Sequence, residues 1–94
     1  ALMLKSFIRK VFLSGRAEAV LVDVNESVAA YAAQVYLSSW EETFGRKIFL
    51  RGRLDMPLEK FRLDLQGSLS SVESRVELTR SRGDTSVVYR TTDP

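Results

Sequence analysis

The chain has 94 residues, a normal size for one small domain, and 45% of them are hydrophobic, enough for a core of its own. Fourteen Lys and Arg against 12 Asp and Glu leave a net charge of +2, carried mostly by arginine, whose guanidinium fork suits phosphate and carboxylate partners. Cysteine and histidine are both absent, which excludes disulfides, a zinc–thiolate site, a cysteine nucleophile and the commonest general base.

Residues 2–13 are expected to form a helix, because Met3, Leu4, Phe7, Ile8 and Val11 recur at spacings of three and four while Lys5, Arg9 and Lys10 fall off that stripe. Ser14-Gly15 stops it. The segment is basic and partly apolar, but it lacks the long unbroken apolar run and small-residue cleavage site of a signal peptide. No run in the chain approaches the roughly 20 apolar residues that cross a bilayer. The expected location is therefore the cytoplasm, with no membrane partner. The missing initiator methionine points to a processed chain or a fragment of something longer.

"EAVLVDV", residues 18–24, has a nearly continuous apolar centre, the pattern of a central strand covered on both faces. Asn25 follows as a helix N-cap, with Glu26 in the first turn. A second helix is expected from 26 to about 43. Val28, Ala32 and Val35 line one sector; Ala29, Ala33, Tyr36, Trp40 and Phe44 widen it. So broad an apolar arc suits packing on a sheet and on another helix or subunit, with Tyr31, Tyr36 and Trp40 as candidate interface residues. Gly45 is placed to end this helix.

Arg46–Arg51 is the next strand, centred on Ile48, Phe49 and Leu50. In the loop that follows, Pro57 can start a turn that Leu58 and Phe61 pin to the core. "FRLDLQG" alternates Phe61, Leu63 and Leu65 with Arg62 and Asp64, a half-buried strand at an edge. "GSLSS", residues 67–71, is a candidate linker. From 72 onward, Val72, Val76 and Leu78 alternate with charged positions, "RSRGD" is a turn signal and "TSVVYR" is β-prone. A β-hairpin, an exchanged strand or a flexible tail over 72–94 fits this composition. The fold expected is thus α+β: a small two-layer helix–strand–helix–strand–strand domain over 1–66, KH-like or ribosomal-protein-like, followed by a C-terminal hairpin.

No catalytic or metal site is legible. Glu41 and Glu42 are adjacent and diverge on a helix. Pairing Asp23 with Asp55, or Glu59 with Asp64, requires an accident of folding. Neither "GRLD" nor "SRGD" has the spacing of a phosphate loop. The better lead is basic. Arg46, Lys47, Arg51 and Arg53 bracket one strand and its exit, and Arg9, Lys10 and Arg16 would extend a patch that contacts RNA phosphates in a salt-dependent way. A KH module would bring a GxxG loop between helices, and this chain has none.

"AVLVDVNESVAAYAAQVYLSSWEETFGRKIFLRGRLDMPLEKFRL" resembles the small C-terminal domain of the ribonuclease E/G family of endoribonucleases. The likeness rests on a strand running into a helix over Val20–Ala29, a helix end running into a strand over Trp40–Ile48, and a turn and final strand over Arg51–Leu63. "LKSFIRKVFLSGRAE" resembles the helix that precedes them, so the likeness covers residues 2–65. It implies a piece of an enzyme that cuts single-stranded RNA. In that family the magnesium-holding aspartates, the zinc-binding cysteines and the S1 domain lie elsewhere, so no catalytic, metal or cofactor residue carries over to this chain. What carries over is an assembly role: packing against a larger catalytic domain or a sister copy, with RNA contact added. The alternatives are a stand-alone KH-like RNA-binding module and a dimerisation domain without an RNA role.

Overall fold

Apolar continuity places β1 (Ala19–Asn25) at the heart of the sheet, where its first six residues are buried. The computed structural model describes residues 2–82 and 86–91. Around β1 the chain runs α1 (Leu2–Ser14), β1, α2 (Glu26–Val35), α3 (Leu37–Phe44), β2 (Lys47–Arg53), β3 (Phe61–Gly67), α4 (Leu69–Ser81) and β4 (Val87–Tyr89). The sheet order is β3-β1-β2-β4, with β1 and β2 parallel and both outer strands antiparallel to their neighbours. This is the expected α+β domain, with one more layer than the sequence led us to expect.

The parity of β1 explains the layers, since successive side chains leave opposite faces of a strand. Val20, Val22 and Val24 join Ile48 and Leu50 on the first face, beneath Leu4, Ile8, Val11 and Phe12 of α1, Ala29 and Ala32 of α2, and Leu37 and Trp40 of α3. Ala19, Leu21 and Phe49 point to the second face, where Val72 and Val76 of α4 cover them.

Asn25 caps α2 as expected: its Oδ1 accepts from the backbone N–H of Ser27 at 2.8 Å, while its Nδ2 donates to the Met56 carbonyl at 2.8 Å and ties down the β2–β3 loop. The helix expected from 26 to 43 bends at Tyr36 (φ −119°), although the N–H of Tyr36 still reaches Ala32 O and that of Trp40 reaches Tyr36 O. Beyond the bend, Leu37 and Trp40 enter the core along with Ala29 and Ala32. Val35, expected in the buried sector, is left 50% exposed. Gly45 ends α3 in the left-handed conformation (φ 65°), its N–H bonded to Glu41 O. In the loop after β2, Phe61 packs on the core against Phe7, with ring centroids 5.8 Å apart, but Leu58 does not pin the turn and stays 61% exposed.

The hairpin over 72–90 is the main correction. Residues 69–81 are helix, and 67–71 are no linker: Gly67 closes β3, and Ser68 accepts from the N–H of Ser71 as the N-cap of α4. Glu18 adds a carboxylate at the same end, accepting from the N–H of Leu69. Leu69, Val72 and Val76 recur at three and four, and this helical period outweighs the partial alternation of Val72, Val76 and Leu78. Among the described residues of the expected hairpin only Val87–Tyr89 is strand, and it pairs with β2 rather than with residues 72–80. Both expected segments therefore lie on one sheet. Of "RSRGD", residues 83 and 84 lie outside the described residues, as do 92–94.

Candidate functional site

The basic residues picked from the sequence do not form one patch. β2 rises about 3.3 Å per residue, so Arg46 and Lys47 sit at one end of the sheet and Arg53 at the other. Arg46 donates to the Phe12 carbonyl at 3.3 Å, and its guanidinium stands 5.1 Å from the Phe12 ring centroid. It thereby satisfies a carbonyl in the last turn of α1, where a cation also meets the negative end of the helix dipole. Ser14 Oγ does the same for Val11 O. Lys47 Nζ lies 3.9 Å from Glu41 and 3.3 Å from Thr91 Oγ1. Arg53 donates to Ser86 Oγ at 3.3 Å and lines a cleft of about 430 Å³ with Glu26, Gly52, Leu54 and Asp55. Arg9, Lys10 and Arg16 are exposed on and just after α1, near the end that Arg46 caps.

Arg51 is not a surface cation. It is 6% exposed and faces α4, where it grips Asp23 with two bonds, Nε to Oδ1 at 2.6 Å and Nη2 to Oδ2 at 3.0 Å. Its Nη1 donates to Thr79 Oγ1 at 3.0 Å. Arg62, paired with Asp23 across β3–β1, donates to Asp23 Oδ2 at 2.5 Å from a side chain that is 60% exposed. Asp64 completes the cluster. Its Oδ2 lies 3.2 Å from Arg51 Nη2, without the alignment of a hydrogen bond, and its Oδ1 lies 3.9 Å from Arg75. Asp64 shares the face of Arg62 by ordinary alternation, and a register shift between Leu21 and Val22 leaves it as the extra residue of a β-bulge, so that Leu65 also turns to that face beside Leu21.

Burial alone drives the Asp23 carboxyl upward and is the largest single influence on it. The hydrogen bonds and charges of Arg51 and Arg62 together outweigh burial and hold it below the ordinary aspartate value. The Arg62 guanidinium is pushed up by the same bond. One row across the sheet, Arg62–Asp23–Arg51, is thus an internal ionic clamp between the strands and α4. The sequence held a signal for it: an aspartate inside "VLVDV" is a buried carboxylate, and a buried carboxylate requires a cationic partner.

The candidate interface residues do come together. Tyr31 and Tyr36 meet edge-on with centroids 5.8 Å apart, and Tyr36 stacks on Trp40 at 5.4 Å and 8°. The neighbouring Tyr31 phenol raises the Tyr36 hydroxyl above the usual tyrosine value. Exposure divides them: Tyr31 is 55% exposed and Tyr36 half-buried, whereas Trp40 is a core residue at 3%. Tyr31 and Val35, four apart on α2, stand side by side on the outer surface. An acid–phenol contact holds β4 in place. Tyr89 donates to Glu26 at 2.6 Å, and Glu26 folds over Gly52, where a Cβ would lie 1.8 Å from its Oε2.

Among the described residues no three carboxylates converge on a metal-sized site, and no helix is long and apolar enough to cross a membrane. No known protein family, curated protein or solved structure matches this chain.

Proposed function

We propose that this chain is a non-catalytic assembly domain of a cytoplasmic RNA-processing endoribonuclease of the ribonuclease E/G kind, docking through α2 onto the larger catalytic body. The observation that carries the proposal is the Tyr31–Val35–Tyr36 surface: two half-exposed large apolar side chains beside a stacked aromatic pair whose inner member is anchored in the core. Rigid aromatic groups anchored from behind are the usual centres of an interface. The stretch that resembles the family, residues 2–65, includes α2 and α3, which carry this surface, and β1 and β2 beneath them. The test is sedimentation with a ribonuclease E/G catalytic body that lacks its own small domain. A micromolar complex weakened at least tenfold by Tyr31→Ser with Val35→Ser supports the proposal. No complex, or one indifferent to both substitutions, refutes it.

RNA contact forms a second part of the proposal, supported by the exposed cations Arg9, Lys10 and Arg16 around the capped end of α1. Titration of single-stranded RNA at two salt concentrations tests it. Replacing one phosphate-binding cation with Ala lowers the log–log salt slope by about 0.7–1. An unchanged slope when Arg9, Lys10 and Arg16 are all replaced with Ala removes RNA from the proposal.

A further inference from the structure

β3 is an outer strand of the sheet, hydrogen-bonded to β1 on one side. Its other side presents backbone groups directed away from β1, and an outer strand in this state is a template for another strand. The side chains of β3 specify which strand fits. Arg62 and Asp64 carry opposite charges, flank Leu63, and face the same side of the sheet, the side of α4.

Charge along β3 therefore reads the same in both directions with the sign exchanged. If two copies run antiparallel about Leu63, Arg62 of each lies directly opposite Asp64 of the other, and Leu63 meets its own image. Directly opposed unlike charges stabilise such a pairing. Centring the pair on Arg62 opposes two guanidinium groups, centring it on Asp64 opposes two carboxylates, and a half-step sets core-facing residues against α4-facing ones. Of the registers centred within Arg62–Asp64, the Leu63-centred one alone avoids these conflicts and opposes the unlike charges. The groups required are also within reach. Arg62 uses Nη2 for Asp23 from a side chain that is 60% exposed; Asp64, 19% exposed, faces Arg51 with its buried Oδ2 at 3.2 Å and keeps Oδ1 for an outside partner, held by Arg75 no closer than 3.9 Å.

We infer that a second copy of this chain docks on the free edge of β3, antiparallel and with its two-fold axis at Leu63, so that two four-stranded sheets become continuous. The same residues serve both partners, which is the property of a two-fold interface. The bulge at Asp64 confines regular pairing to a short stretch, so this is a weak, reversible dimer rather than an obligate one. The surface is separate from the Tyr31–Val35 face and stands independently of the function proposed above.

Because the chain has no cysteine, single-cysteine variants report the register directly. Under mild oxidation, folded Leu63→Cys is expected to form a disulfide dimer at least tenfold faster than Ser6→Cys, an exposed control on α1, and to fall to the control rate in urea. A mixture of Arg62→Cys and Asp64→Cys is expected to cross-link to each other in preference to themselves, a readout that remains if Leu63→Cys fails to fold. Tyr31→Ser in the Leu63→Cys background should leave the rate unchanged, which separates this dimer from the α2 surface. A folded Leu63→Cys that links at the control rate overturns the inference. So does preferential self-linking at position 62 or 64.

Discussion

Replacing Asp23 with Asn tests the ionic clamp most directly. The substitution keeps the size of the side chain and removes the charge that holds the buried Arg51 and the Arg62 side chain, 60% exposed. The Arg62 share is small, because an exposed pair contributes about 0–1 kcal/mol. The Arg51 share dominates. Removing one partner of a buried pair costs about 3–5 kcal/mol, since the remaining charge stays buried without compensation. Asp64, 3.2 Å from Arg51 Nη2, offsets part of this and places the expected loss near the lower end, about 3 kcal/mol. A domain of this size has roughly 5–14 kcal/mol of stability in total, so the loss is a large fraction. It corresponds to a melting-temperature drop of roughly 12–24 °C. Urea unfolding followed by fluorescence of Trp40, the single tryptophan and a core residue, measures it. Asp23→Leu combined with Arg51→Met should recover most of the loss, because matched apolar replacements of a buried pair are often neutral. A cost under about 1 kcal/mol for Asp23→Asn, or a double variant as unstable as the sum of the singles, would refute the clamp as a coupled unit.

The pH dependence follows from the same residue. The folded-state value of Asp23 lies below the ordinary one, so its contribution is complete above the unfolded value, about 3.9, and is lost as pH falls through the lower folded value. Urea midpoints measured downward from pH 5 should show a steep acid limb that Asp23→Asn flattens. Tyr89 behaves in the opposite sense. Its hydrogen bond to Glu26 raises the phenol above the ordinary tyrosine value, so its contribution is lost as pH rises past about 10, and Tyr89→Phe should remove that alkaline step from the urea midpoint. Two glycines separate two kinds of cost in thermal melts. Gly45→Ala meets nothing within 4 Å and should lose about 1–2 kcal/mol from its left-handed backbone alone. Gly52→Ala has an unstrained φ but collides with Glu26, so a loss of about 1–3 kcal/mol should be partly rescued by Glu26→Ala. Ser68→Ala should cost about 1 kcal/mol by removing the cap of α4, a loss that a flexible linker at 67–71 would not show in the same melts.

Sequence alone determined the elements whose cause is local. The apolar run of β1, the Asn25 cap, the Gly45 stop and the Leu4, Phe7, Ile8 and Val11 stripe of α1 follow from backbone sterics and periodicity over a few residues and appear where those rules put them, whereas Met3, expected on the same stripe, is 62% exposed. Local rules failed where two periods competed. Val72, Val76 and Leu78 read as alternation until the second face of the sheet supplied a surface for Leu69, Val72 and Val76 to cover. The candidate site divides in the same way. Aromatic spacing on α2 and α3 brought Tyr31, Tyr36 and Trp40 together, because neighbours on a helix stay neighbours, but only packing decided that Trp40 lies inside and Tyr31 outside. The arginines depended on tertiary structure throughout. Arg51 and Arg53 differ by two positions on one strand, yet one is sealed beneath α4 and the other lines an open cleft. Whether a guanidinium is a surface charge or a structural clamp depends on the carboxylate that folding brings to it. Here that carboxylate is 28 residues away along the chain and adjacent across the sheet.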